Sequence, residues 1–450
     1  MRRSWLLVLS AALLSSGSLP PQGAARAATT TQNEWHKYHF DDRHSGYNPG
    51  VPAVGALHIL WSHNLDGKVY ASPIVASGVV VIATENNTLY GFNRSGRLMW
   101  SHHDQPAVPG SRLPCGNISP LGITGTPAYD PTSKIVYAVI TTPAGSSSIR
   151  HQLIGLSVSN GHVIRRRTVD VAGQDPLVEN QRGALGLARG KVLITYGGHY
   201  GDCGAYHGYL LEVAPENGGA ISTYKVGAGT EAGMWQAAGP ALAGTNADVY
   251  VVSGNGSRTS GAWDGGNAVH RVSSVNATRI SYFAPSNWAQ GNAQDADLGS
   301  SGAALIGNRI WIQGKSNVGY LLDIGNLGGV GHPLATVTDA CAEQFGGPAV
   351  HGSVAYLPCT DGVRKITVSG NTVTKGWKAS SSITGSPVVG GGAVWTIDYQ
   401  AGTLYALRES DGAVLRSIHV GAMPRFMSPA LSGPLVIVGT NAGVVAVQGA

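Results

Sequence analysis

The sequence predicts an all-β fold, an eight-bladed β-propeller of four-stranded antiparallel blades, and three observations carry that reading. First, residues 383–420 divide into four apolar runs, beginning at Gly385-Ser386-Pro387-Val388-Val389 and continuing at 393–397, 403–407 and 413–420, separated by Gly, Asp or Asn. Those residues tolerate the positive φ of tight turns, so the stretch reads as one four-stranded sheet. Second, similar stretches recur about every 40–50 residues, the spacing of propeller repeats. Third, the last copy, from Met427-Ser-Pro-Ala-Leu, stops after three strands, and a lone strand at 57–65 (LHILWSHNL) stands ahead of the first copy. Pairing the two closes the ring and removes the exposed sheet edges.

Taken in order, residues 1–27 carry Arg2 and Arg3, the apolar run 5–14 and Ala25-Arg26-Ala27, the pattern of a secretory signal peptide with a small-residue cleavage site. The apolar run is too short to span a bilayer, so a soluble exported protein without a transmembrane segment is expected. Residues 28–54 form an irregular lead-in rich in aromatic and His residues. His36, His39 and His44 lack the spacing of a helical zinc motif, and a solvated lead-in is expected. The propeller then occupies 55–450. Its first copy aligns almost without gaps on the 383–420 copy: Ser72-Pro73 on Ser386-Pro387, Leu89-Tyr90 on Leu404-Tyr405, Gly96 on Gly412. Weaker copies begin at Gly125, Arg182, Gly239, Ser301 and Gly347. Seven blades is the alternative if one weak copy is an insertion.

Composition narrows the function classes. Charged residues are 12% of the chain and glycines number 64, which suits many turns and not long ion-paired helices. The 30 Lys and Arg against 25 Asp and Glu form no basic stripe, so nucleic acid is not an expected partner. Four cysteines, none spaced as CxxC, in an exported chain favour two disulfides. The expected pairs are Cys115–Cys203 and Cys341–Cys359.

Apolar-Ser-Pro-Val-Val, then Leu-Tyr-Ala-Leu, then Gly-x-x-x-Trp resembles the pyrroloquinoline quinone (PQQ) repeat, best matched by Ser72-Pro73, Leu89-Tyr90 and Trp100 and by Ser386-Pro387 and Leu404-Tyr405-Ala406-Leu407. The resemblance covers most of the mature chain and implies the propeller. It implies no single function, because propellers with this repeat include quinoprotein alcohol dehydrogenases, which use PQQ and calcium, and non-enzymatic outer-membrane assembly scaffolds.

In such a blade the loops joining strands two and three share a face with the loops between blades. On that face lie the long stretches 101–122, 141–152, 197–207, 254–267 and 285–298, and long loops carry function more often than short ones. The opposite face is expected to have short loops. All four cysteines map to the long-loop face, where their role is to staple loops.

On the same face, what the dehydrogenase resemblance implies can be placed residue by residue. Asp202, in Gly-Gly-His-Tyr-Gly-Asp-Cys, stands for an acidic calcium ligand, with His207 where an Arg is expected. Asn255, in Ser-Gly-Asn-Gly-Ser, stands for a carbonyl ligand. Asp295 or Asp297 stands for the carboxylate base. Trp235, Trp263 or Trp288 could supply a stacking surface. Against catalysis stand the absence of adjacent cysteines and of a haem-attachment CxxCH. The turn-forming habit of Asp and Asn before Gly gives each residue an ordinary structural role as well. The expected function is therefore an exported monomer that binds a protein or small-molecule ligand on its long-loop face, with a PQQ- and calcium-dependent dehydrogenase as the alternative.

Overall fold

The computed structural model describes residues 33–449, together with Met1. The signal-peptide reading therefore falls outside the described residues. Eight sheets are present among the described residues: five are built from four consecutive strands, in two neighbouring ones the short strand Gly329–Val330 passes from the second to the first, and the eighth is ordered His58–Asn64, Gly443–Gln448, Leu435–Gly439, Ala430–Ser432. The blades span 74–103, 128–168, 186–225, 241–284, 304–338, 349–378, 388–419 and 430–448, the last completed by 58–64. Closure is antiparallel, with Trp61 opposite Ala446 and Ser62 opposite Val445. Eight blades, not seven, form the ring. Among the described residues, no helix is long and apolar enough to cross a membrane.

Burial explains why the motif has its composition. Innermost strands such as Val388–Gly390 and Ala430–Ser432 are buried throughout, whereas the outermost strand Val414–His419 alternates or is exposed. Small apolar residues can crowd towards the axis, and polar residues face solvent at the rim. Neighbouring blades pack face to face: Ile74 and Val81 of blade 1 share a core with Tyr129 and Ile140 of blade 2.

The motif residues stitch one blade to the next. The Ser72 hydroxyl of blade 1 accepts the Ser428 N–H of blade 8 (3.0 Å), Thr126 of blade 2 accepts Ser72 N–H (2.9 Å), and Ser386 of blade 7 accepts Gly347 N–H of blade 6 (3.1 Å). At the rim, the motif Trp reaches the turn of the following blade. Trp61 Nε1 donates to the Arg94 carbonyl (3.0 Å), Trp100 to Val158 (2.9 Å) and Trp377 to Glu409 (3.1 Å). Each indole lies against a turn glycine, and a Cβ on Gly96 or Gly161 would sit 2.5 or 2.6 Å from the ring. With φ of +85° and +71°, both positions suit glycine on backbone grounds too.

Three expectations are corrected. Residues 141–152 are not a long loop: they belong to a hairpin of two ten-residue strands, Ile135–Ala144 and Ser148–Ser157, because Thr141 and Thr142 continue the ladder against His151 and Arg150. The opposite face is not uniformly short-looped either. Residues 324–334 are a long connection whose strand Gly329–Val330 pairs in parallel with Arg279–Ala284 and widens blade 4 to five strands. Finally, the lead-in is not solvated. Trp35, Tyr38, His39 and Asn48 are all at most 1% exposed, and burial pushes His39 and His44 down to about 3, so both imidazoles are neutral. The sequence could not reveal this, since irregular backbone has no periodicity to read.

Candidate functional site

Both disulfides expected from the sequence are present, Cys115–Cys203 and Cys341–Cys359. The first ties the loop between blades 1 and 2 to the loop between the second and third strands of blade 3, and the second clamps the equivalent loops about blade 6. Both lie on the long-loop face.

Around blades 4 and 5 the chain brings together Asn255, Asp295 and Asp297. The connection between these blades holds a short helix, Trp288–Ala293, followed by Asp295 and Asp297, both in the left-handed region (φ 55° and 32°). Asn255 Oδ1 accepts from Asn267 Nδ2 (2.9 Å) and from the Asp297 N–H (3.0 Å), while its Nδ2 donates to Asp295 (2.6 Å). Lys315 Nζ lies 2.7 Å from Asp295 and 3.1 Å from Asp297. Trp235 Nε1 donates to Asp297 (3.1 Å). Burial raises the Asp297 carboxyl above its ordinary value, and Lys315 opposes that rise; the Lys315 ammonium is raised in turn by Asp297 and Asp295, against its own burial.

The other sequence-derived residues make no hydrogen bond or ion pair to this cluster among the described residues, although Tyr206, which bonds Asp202, also feels the Asp297 charge. Asp202 is exposed at φ 51° and accepts a hydrogen bond from Tyr206 (2.7 Å). His207 is buried, its N–H donating to Glu179 (3.1 Å), and its imidazole is shifted down by burial and by Lys225. Trp263 stacks on Tyr282 (4.3 Å between centroids) and donates to Gly266, and Trp288 is buried in its helix. Only Trp235 stands beside the carboxylates.

A calcium ion would need Asp202, Asn255 and an aspartate to turn free oxygens to one point. Here the Asn255 oxygen already takes two donors, and an ammonium of the chain itself holds both aspartates. Among the described residues, no three His, Cys, Asp or Glu side chains are grouped to hold a metal. The donor set fits an internal Lys–Asp–Asp network and not a calcium site.

The mouth of the central channel holds residues that the motif reading missed. Arg182 stacks on Phe426 (4.3 Å) and lies near Trp235 (5.6 Å), and Arg425 covers Phe345 (4.1 Å) and reaches Phe426 (5.7 Å). Lys315 lies 5.8 Å from the Trp235 ring. Burial and the nearby Arg425 push Arg182 down to about 10, partly offset by Tyr70 and Glu85. Glu85 is itself fully buried, accepts from Gly122 N–H and Thr124, and is pushed up to about 7 by burial. A positional signal was available. Arg182, Phe345 and Phe426 each stand four residues ahead of their blade's innermost strand, which begin at Gly186, Ala349 and Ala430.

Residues 56–206 match a PQQ-repeat family model described as outer membrane protein assembly factor BamB. Several solved structures share the fold. The quinohemoprotein alcohol dehydrogenase from Comamonas testosteroni has a TM-score of 0.68 and 14% identity over 95% of this chain and 82% of its own. A europium-containing methanol dehydrogenase gives 0.66 and 13% over 92% and 90%. BamB from Moraxella catarrhalis gives 0.56 and 15% over 87% and 97%. At these identities the likeness speaks for the fold alone. No curated protein matches the chain in sequence. Repeat motifs and ring closure agree that the chain is an eight-bladed β-propeller; its residues 56–206 are similar to a PQQ-repeat family model, and its fold is similar both to quinoprotein alcohol dehydrogenases and to BamB.

Proposed function

We propose that this is an exported binding propeller whose long-loop face takes an anionic ligand or partner group at the channel mouth. One observation carries the reading: Arg182 and Arg425 meet across Phe426, and neither makes an ion pair or hydrogen bond among the described residues. Arg182 is half-buried while Arg425 is exposed; a half-buried guanidinium without an acceptor is costly, and a carboxylate or phosphate held between it and Arg425 recovers that cost through charge-assisted hydrogen bonds. The aromatic walls offer a flat surface for the rest of the ligand. Two disulfides support export, because they persist in oxidising compartments.

The test is calorimetric titration with benzene-1,3,5-tricarboxylate as a soluble aromatic anion. Arg182→Ala is expected to weaken binding about ten- to a hundredfold, the loss typical of a hydrogen bond to a charged group. Unchanged affinity in the variant, or no binding by the parent protein, overturns the proposal.

Binding should also depend on pH. Glu85 faces Arg182, Lys68 and Tyr70 and is pushed up to about 7. As pH rises through that value it ionises and neutralises Arg182, so anion affinity should fall from pH 6 to pH 8. Glu85→Gln should flatten the profile over that interval, and a profile unchanged by the substitution would count against this role.

A quinoprotein dehydrogenase draws support only from Asp297 beside Trp235. The lysine network around Asp295 and Asp297 does not offer the calcium set. Incubation with PQQ and calcium distinguishes the two: quinone absorbance together with dye reduction by an alcohol would favour the enzyme.

A further inference from the structure

Residues 33–51 cross the channel at the end opposite the mouth, and this strap touches every blade. Trp35 exchanges two backbone hydrogen bonds with Val75 of blade 1 (2.9 and 2.8 Å). The carbonyls of His36, Asp42, Ser45 and Gly46 accept from Tyr129, Leu242, Val350 and Val389, the innermost strands of blades 2, 4, 6 and 7, at 2.6–2.8 Å. Arg43 donates to Gly307 in the first turn of blade 5 (2.7 Å), and Asn48 Nδ2 to Leu431 of blade 8 (2.9 Å). Tyr38 packs on Ala184 ahead of blade 3. Tyr38 and His39 stack face to face (4.1 Å, 3°) across the axis, and His39 bonds Pro348 O (3.1 Å) and Ser428 Oγ (2.9 Å).

The physical need is clear. An innermost strand has a neighbour on one side only, so its channel-facing N–H groups lack partners unless water or another segment supplies them. The strap supplies them at the end away from the long-loop face. It also joins blade 8 to blades 1, 6 and 7 independently of the outer closure by 58–64.

We propose that residues 33–51 are an internal plug: they close the channel at the end away from the long-loop face, leave the long-loop mouth as the way in, and form a second lock on the ring. This holds whether or not the mouth binds an anion. The connection after the plug is accessible, since Pro52, Ala53, Gly55 and Ala56 are exposed. The experiment inserts a specific protease site between Ala53 and Val54 of the full chain and cuts the folded protein.

The freed segment is expected to remain bound through gel filtration in buffer. When it is then stripped in mild urea, hydrogen exchange at the amides of Val75, Tyr129, Leu242, Val350 and Val389 should quicken at least tenfold, with little change in outer strands such as Val414–His419. Should the stripped ring unfold, the same amides are followed in uncut Tyr38→Ala and Asn48→Ala proteins, where quickening is expected at Val350 and Val389. Spontaneous loss of the cut segment in buffer, or unchanged exchange at those amides, overturns the plug.

Discussion

Replacing Trp61 by alanine is expected to cost about 3–5 kcal/mol of stability, the range for deleting a large buried aromatic side chain. Trp61 belongs to the strand that completes blade 8, yet its indole lies on Gly96 and donates to Arg94, both in blade 1. It therefore spans the seam where the two ends of the chain meet. Gly96→Ala attacks the same contact from the other side, because the new Cβ would stand 2.5 Å from the ring at φ +85°. That variant should lose about 2–3 kcal/mol through overpacking and left-handed strain. In the double variant the clash is gone and only the backbone strain remains, so the two losses should fall short of additivity by about 1–2 kcal/mol. Chemical denaturation of the four proteins measures this. Full additivity would mean that Trp61 does not close the ring through Gly96.

How much of this was legible in the sequence varied with the kind of signal. The ring, its closure by 57–65 and both disulfides could be read because apolar periodicity, turn residues and a missing fourth strand are local and countable. The hairpin at 141–152 was missed because Pro143 and Gly145-Ser-Ser-Ser look like loop, while the pairing of Thr141 with His151 depends on cross-strand packing. The plug was missed for a different reason. Its order comes from capping inner-strand N–H groups of blades more than 300 residues away, such as Val350 and Val389, and no property of residues 33–51 alone encodes those partners.

The candidate site divides in the same way. Motif matching found Asn255, Asp295 and Asp297, which do come together, because Gly- and Asn-rich loops at fixed repeat positions must converge on one face. Asp202, His207 and Trp263 are drawn off by Tyr206, Glu179 and Tyr282, contacts that a motif does not specify. Lys315 escaped because a single lysine after a strand has no distinguishing spacing. Its effect is to put a cation of the chain where a bound metal was the alternative.

Lys315→Met should be the most damaging change at that site, lowering stability by about 3–5 kcal/mol at pH 8, because it strands the buried Asp297 carboxylate. The sign of the pH dependence follows from the direction of the shift. Asp297 already sits above its ordinary value through burial, and without Lys315 it rises further. A carboxyl with a raised pKa in the folded state favours folding while protonated in both states, below the unfolded value of about 4, and loses that contribution as pH climbs through the folded value. The gap between variant and parent should therefore be small near pH 4 and widen towards pH 8. Adding Asp297→Asn should recover most of the loss at pH 8, since the amide still accepts from Trp235 Nε1 without a charge to desolvate. Urea denaturation at both pH values reads the effect. A gap independent of pH, or one that Asp297→Asn leaves intact, would mean that Lys315 acts by packing on Trp235 and not by holding Asp297 ionised.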